Sequence, residues 1–309
     1  MARTFGILGT TLAAFVLLLG LPNSAIPNLP GGLTLDGCPA VYPPPTSHPL
    51  LISGNDSSPA NLDVHAVVTR CQADMEIIQN LITDGNRCTP QGVYTVGTPN
   101  LCQAGPNFNW EYPGIGNNNC TNPDCNNTNN SADIFYDASM SVPNAQPFFA
   151  NCAGLQEFVS YFEQRADYTY PANTNNLSTY GDGSNANPAL WNRVINVING
   201  DASLSGADFG NPGAGIILVK GNLYVSGYPS YNGAILVIGT GQMTVSGGGS
   251  GTINGGIFLA NTSACAGTGL LGPVSFDNPG GGTFVLNYNS DAINPALAPK
   301  KRRGQLTSE

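Results

Sequence analysis

Between Gly215 and Phe258 the chain states nearly the same line three times, and the spacing of that repetition limits the folds open to it. Gly215-Ile-Ile-Leu-Val-Lys-Gly-Asn-Leu-Tyr-Val-Ser-Gly is followed by Gly233-Ala-Ile-Leu-Val-Ile-Gly-Thr-Gly-Gln-Met-Thr-Val-Ser-Gly, then by Gly255-Gly-Ile-Phe-Leu-Ala. The intervals are 18 and 22 residues. That is too short for a propeller blade and suits one coil of stacked β-structure. Within the coils Ile217, Val219, Leu223 and Val225 alternate with Leu218, Lys220, Tyr224 and Ser226, and Ile235, Val237, Met243 and Val245 occupy matching places. One face of each strand is thereby expected to fill a bore. Asn232-Gly233 and Asn254-Gly255 close successive coils with a dipeptide that accepts unusual backbone angles. With Gly215 they form a predicted set of corner residues, whose asparagines can satisfy one another's amides along the stack.

The rest of the chain is organised around that repeat. Residues 1–25 read as a signal peptide: Arg3, an apolar run from Ile7 to Leu21, and a break with small residues ending at Ala25. The run of about 15 apolar residues falls short of the roughly 20 that span a bilayer, and no later segment is long enough, so no stable membrane span is expected. Residues 26–58 form a Pro-rich extended lead-in, 59–186 a Cys-rich region of helix and irregular structure, 187–295 the repeat domain and 296–309 a basic tail. Helices are predicted over Asn61–Asp84, Gly154–Arg165 and Pro188–Asn199. The last is capped by Asn187 and is placed as a lid on the open end of the stack. The expected fold is mainly β: a short parallel β-helix, or β-solenoid, capped by a helix and preceded by a disulfide-rich, partly helical front.

Charged residues make up 9% of the chain and the net charge is -9, with Lys300, Lys301, Arg302 and Arg303 all in the tail, so the body is more acidic than the total suggests. Such a body argues against nucleic-acid binding. The eight cysteines are Cys38, Cys71, Cys88, Cys102, Cys120, Cys125, Cys152 and Cys265. An even number behind a leader suits disulfides in an oxidising compartment, with the pairing open. None has the two-residue spacing of a zinc knuckle, and His48 and His65 are not near a cysteine pair, so neither a metal nor another cofactor is expected. Asp124, Asp133 and Asp137, among many asparagines, are weak Ca²⁺ candidates without a recognised loop spacing.

Polysaccharide cleavage on a β-stack needs carboxylates gathered on one face. Between Gly215 and Asn289 the ionisable side chains expected to matter are Lys220 and Asp277, and Asp201, Asp208 and Asp291 lie outside the repeat, so no catalytic residue is assigned. Gly247-Gly248-Gly249-Ser250-Gly251 lacks the lysine and following helix of a nucleotide loop. Tyr180, Tyr224, Tyr228 and Tyr231 line up either as coil-edge packing or as a sugar-binding face.

The order Leu190-Trp191, the Gly215 line, Tyr231-Asn232-Gly233-Ala-Ile-Leu-Val-Ile-Gly and Gly251-Thr252-Ile253-Asn254-Gly255-Gly256-Ile257-Phe258 resembles the C-terminal β-helical region of PilX-like type IV pilus assembly proteins. The close, Phe284 to Tyr288 followed by Asn289 to Asn294 and a basic tail, is similar too, and the resemblance covers about residues 187–303. It implies a non-catalytic part outside the cytoplasm, with pilin or envelope proteins as partners. A surface carbohydrate-binding or adhesive module is the alternative, and a polysaccharide lyase or hydrolase comes third. The front departs from that family. If Gly6 ended a pilin leader, Thr11 would stand where a glutamate is expected, and Pro22 would break the apolar stem.

Overall fold

The computed structural model describes residues 29–38, 40–41, 50–54, 56, 58, 65–70, 134–136, 147–210, 212–277, 279 and 283–297. They form a mainly β structure. Five short strands belong to the front of the chain: β1 (Gly31–Asp36), β2 (Ala40–Val41), β3 (Leu50–Ser53), β4 (His65–Thr69) and β5 (Ile134–Tyr136). The remainder are β6 (Tyr168–Tyr170), β7 (Val194–Ile198), β8 (Ala202–Ser205), β9 (Gly213–Val219), β10 (Leu223–Ser226), β11 (Tyr231–Gly239), β12 (Gln242–Ser246), β13 (Ser250–Asn261), β14 (Val274–Asp277) and β15 (Thr283–Asn287). The helices are α1 (Cys152–Glu163), the single turn α2 (Cys265–Thr268) and α3 (Ser290–Leu297).

Every ladder between these strands is parallel. A large sheet runs β5-β4-β1-β13-β11-β9-β7-β6, with β15 joining β13 to β3, and a small sheet runs β2-β14-β12-β10-β8. From β7 to β15 the chain alternates between the two, one strand in each. The register aligns the repeat on itself: Gly215, Gly233 and Gly255 stand side by side, and Asn232 stands beside Asn254. Ile217, Val219, Leu223, Val225, Ile235, Val237, Met243 and Val245 all enter the core between the sheets, where each is buried.

The glycine column bends the long strands. Gly233 has φ 153°, and a Cβ there would come 1.9 Å from the carbonyl oxygen of Gly215; Gly255 repeats this at φ 152° and 1.8 Å from the oxygen of Gly233. No L side chain fits that approach. Beyond the bend β13 changes neighbours: Ser250–Asn254 pair with β15, and Ile257–Ala260 with β1.

A second core covers the outer face of the large sheet. Ile216, Leu218, Leu236 and Phe258 point away from the first core and meet Leu155, Phe158 and Phe162 of α1. Asn151 opens this helix by accepting from the Gly154 N–H at 2.9 Å, and its buried residues recur at the spacing of one helix face. Phe149 bridges helix and sheet, 5.2 Å from Phe158 and 4.8 Å from Phe258 between ring centroids. Strands β7, β9 and β11 are consequently buried on both faces.

Two expected helices need correction. The helix over Asn61–Asp84 fails at His65–Thr69, which is β4, paired with β1; Cys71 onward lies outside the described residues. The helix over Pro188–Asn199 reduces to a 3-10 turn, Pro188–Leu190, with the expected Asn187 cap, and Val194–Ile198 is a strand. No lid helix therefore stands there, and Leu190 is 66% exposed. The apolar run Val194–Ile198 is fully buried, so it carries no period-two alternation to distinguish it from a helix. The Pro-rich segment, expected as a lead-in, supplies β1, β2 and β3, which pair with β13, β14 and β15. Buried Asp56 fastens this segment to the other end of the chain: its carboxylate accepts from the backbone N–H groups of Ser58 and Ser290, both at 3.0 Å, the latter at the N-terminus of α3.

The bend makes a direct prediction. Gly233→Ala should lower unfolding stability by about 3 kcal/mol, from strain and the carbonyl clash together, whereas exposed Gly248→Ala, which meets nothing within 4 Å, should stay within ~0.5 kcal/mol; denaturant melts compare them.

Candidate functional site

Strands β8, β10, β12 and β14 of the small sheet turn apolar residues inward and polar ones outward. Ala202, Leu204, Leu223, Val225, Met243, Val245, Val274 and Phe276 are buried, while Ser203, Tyr224 and Gln242 are exposed and Thr244, Ser275 and Asp277 half-buried. The parallel register sets the outward residues in rows. Ser203, Tyr224, Thr244 and Asp277 stand abreast, as do Ser205, Ser226 and Ser246, and Gln242 stands beside Ser275. The Tyr224 hydroxyl shares a hydrogen bond with the Ser246 hydroxyl on the next strand, which ties the ring down along the face.

A cleft of about 290 Å³ opens at the β8 end of this face, lined by Asn173, Asn175, Asp201, Asn222, Tyr224 and Gln242 among others. Its far wall is an extra rung. Thr174 bridges Ala202 in parallel, donating its N–H to the Asp201 carbonyl at 3.2 Å and accepting from the Ser203 N–H at 2.9 Å. Thr174 is buried, so its exposed neighbours Asn173 and Asn175 face outward with Asp201 and Ser203. Asp201 Oδ1 accepts from the Asn222 N–H at 2.7 Å, which fixes the floor between β8 and β10.

The predicted corner residues lie on another edge of the stack. Asn232 donates its amide to the Gly183 carbonyl at 3.0 Å, Asn254 donates to Asn232 Oδ1 at 2.9 Å, and Asn287 donates to Asn254 Oδ1 at 3.4 Å. The amides run head to tail along the stack, each polarising the next. Asn287 belongs to this line but stands outside the repeat, so its role required the β13–β15 register.

Of the tyrosines, Tyr180, Tyr228 and Tyr231 are buried and pack aromatic to aromatic; Tyr180 stacks on Phe209 at 4.6 Å and Tyr228 on Phe284 at 5.8 Å. Only Tyr224 of the four, 42% exposed, faces solvent. Lys220 pairs with Glu163 of α1 at 2.6 Å and with Asn199 at 3.1 Å, while Asp277 stands on the outer face of β14. Cys152 and Cys265 form a disulfide that ties the start of α1 to α2, and Cys38 is also disulfide-bonded. Cys71, Cys88, Cys102, Cys120, Cys125, Asp124, Asp133 and Asp137 lie outside the described residues, as do the leader and the basic residues Lys300, Lys301, Arg302 and Arg303. Among the described residues no cluster of three histidine, cysteine or acidic side chains could hold a metal, and no helix is long and apolar enough to cross a membrane.

Comparison with protein-family models, with curated proteins and with solved structures finds no match.

Tyr180 and Tyr231, and the Cys152–Cys265 disulfide, each carry a prediction. Burial, then the charge of Asp208, pushes the Tyr180 phenol up to about 12, and burial pushes Tyr231 well up. An unfolded chain releases these protons near pH 10 while the folded chain holds them. Their contribution to stability is therefore whole below about pH 10 and lost as pH climbs toward 12. Denaturation midpoints taken from pH 8 to 12 should hold and then fall, and Tyr180→Phe should make the fall shallower. The paired change Cys152→Ser with Cys265→Ser should cost about 2–4 kcal/mol, read from the same melts, because the bond closes a long loop across the chain.

Proposed function

We propose that the chain is a non-enzymatic structural protein outside the cytoplasm, a pilus-associated or cell-envelope component acting through protein contacts. In this reading its parallel stack is a short β-solenoid of the PilX-like kind that the repeat resembles. The observation that carries the proposal is the allocation of side chains in the repeat. Inward positions of the repeat strands in both sheets are apolar and buried, and the outer faces of β7, β9, β11 and β13 are covered by α1 and α3. Such a body holds a surface rigidly and at fixed spacing. The disulfide Cys152–Cys265 and the bonded Cys38 support an oxidising compartment. The low charge of the repeat is the reason to set polysaccharide cleavage aside.

Chemical cross-linking of the exported full-length chain with pilin subunits tests the proposal. Capture of pilin is the expected result. Failure to capture it, together with turnover of a uronate polymer that disappears in Asp277→Ala, would replace this reading with an enzymatic one.

A further inference from the structure

The outer face of the small sheet has a chemistry that a structural role does not require. Thr174 pairs with Ala202, and Leu223 with both Ala202 and Met243, so the outward residues extend into two rows across the strands. One row is Asn173, Asp201, Asn222, Gln242 and Ser275; the other is Asn175, Ser203, Tyr224, Thr244 and Asp277. Neither contains a lysine or arginine, and each contains a single carboxylate. The rest are amides and hydroxyls, groups that both donate and accept, and between them stands one exposed aromatic ring.

We infer that this face binds an uncharged oligosaccharide, seated in the cleft beside Tyr224 and lying across the strands. The lining discriminates among ligand classes. An anion would meet Asp201 and Asp277 with no cation on either row. A protein partner would call for a buried apolar centre with several aromatic residues, whereas Tyr224 is the only large apolar side chain exposed on these rows. A neutral sugar chain offers hydroxyls to the Asn222 and Gln242 amides and a C–H face to the Tyr224 ring. The rungs of the sheet repeat at ~4.8 Å, comparable to the rise of a hexopyranose along an extended chain.

The site is also pre-formed. The Thr174 backbone is pinned on both sides and its hydroxyl donates to the Pro171 carbonyl at 2.8 Å, while the Tyr170 hydroxyl accepts from the Ser178 N–H at 2.8 Å. Asn173 holds φ 60° there, the one non-glycine residue with positive φ among those described. A ligand would therefore meet fixed walls and impose little ordering cost.

This site goes beyond the structural role and is independent of it. The test is calorimetric titration of the full chain with neutral hexasaccharides (cellohexaose, chitohexaose and mannohexaose) and with hexagalacturonate as the charged control. At least one neutral hexasaccharide should bind, and more tightly than the uronate. Tyr224→Ala and Gln242→Ala should each weaken binding at least about tenfold, while Leu270→Ala, at a residue 70% exposed elsewhere, should leave it unchanged. Far-ultraviolet dichroism confirms that the variants fold, as expected for exposed positions. Binding by none of the neutral sugars, equal or tighter binding of the uronate, or full retention in Tyr224→Ala would each overturn the assignment. Pilin capture by Tyr224→Ala should match the wild type, so the two proposals fail separately.

Discussion

The close approach of backbone to backbone at Gly215, Gly233 and Gly255 is the constraint on which the stack depends. At these positions the strand of one coil lies directly against the carbonyl of the preceding coil, with no room for a Cβ. The bend lets β13 pair with β15 on one side of Gly255 and with β1 on the other. Both pairings matter beyond the repeat, since β15 recruits β3 and β1 recruits β4. The asparagines before Gly233 and Gly255 are held in line, Asn254 by Asn232 and Asn232 by the Gly183 carbonyl, so these polar side chains at a buried edge are satisfied.

Burial of β7, β9 and β11 on both faces sets the shape of what surrounds them. Apolar side chains on the outer face of β9, β11 and β13 cannot remain in water in such number, and α1, the Pro147–Phe149 turn and Ile293 of α3 together supply the cover. The Cys152–Cys265 bond holds the start of that helix beside the end of β13. At the opposite end of the front segment, the pair Arg70–Asp36 joins β4 to β1, and Arg70 also donates to the Phe149 carbonyl at 2.8 Å. A buried carboxylate so placed ties two strands to the turn that precedes the helix. The small sheet has no comparable cover among the described residues, and its outward positions are polar for that reason.

Much of the repeat could be read directly. The inward alternation in β9 to β12, the coil spacing and the stacking of Asn232 on Asn254 follow from periodicity and from the demands of glycine, which are local. So does α1, whose apolar spacing and asparagine cap lie within one short segment. Misreadings occurred where local pattern is ambiguous. Val194-Ile195-Asn196-Val197-Ile198 is buried on both faces and so lost the alternation of a strand. Val64, Val67 and Val68 match helical spacing, yet the backbone of His65–Thr69 pairs with β1 because that edge was available to it. Propensity is a weak prior beside an unpaired parallel edge.

The sequence by itself determined that this chain would build a parallel stack with glycine corners, a stacked pair of corner asparagines and a sparsely charged surface, because each follows from the repeat and the composition. Only the tertiary structure decided that β1 sits between β13 and β4, that Cys152 meets Cys265, and that Asn173, Asn222, Tyr224 and Gln242 share one cleft. Parallel pairing joins segments far apart in sequence, and its hydrogen bonds are between backbones, which carry no record of the partner. Side chains gathered by that pairing become neighbours only after the strands have stacked.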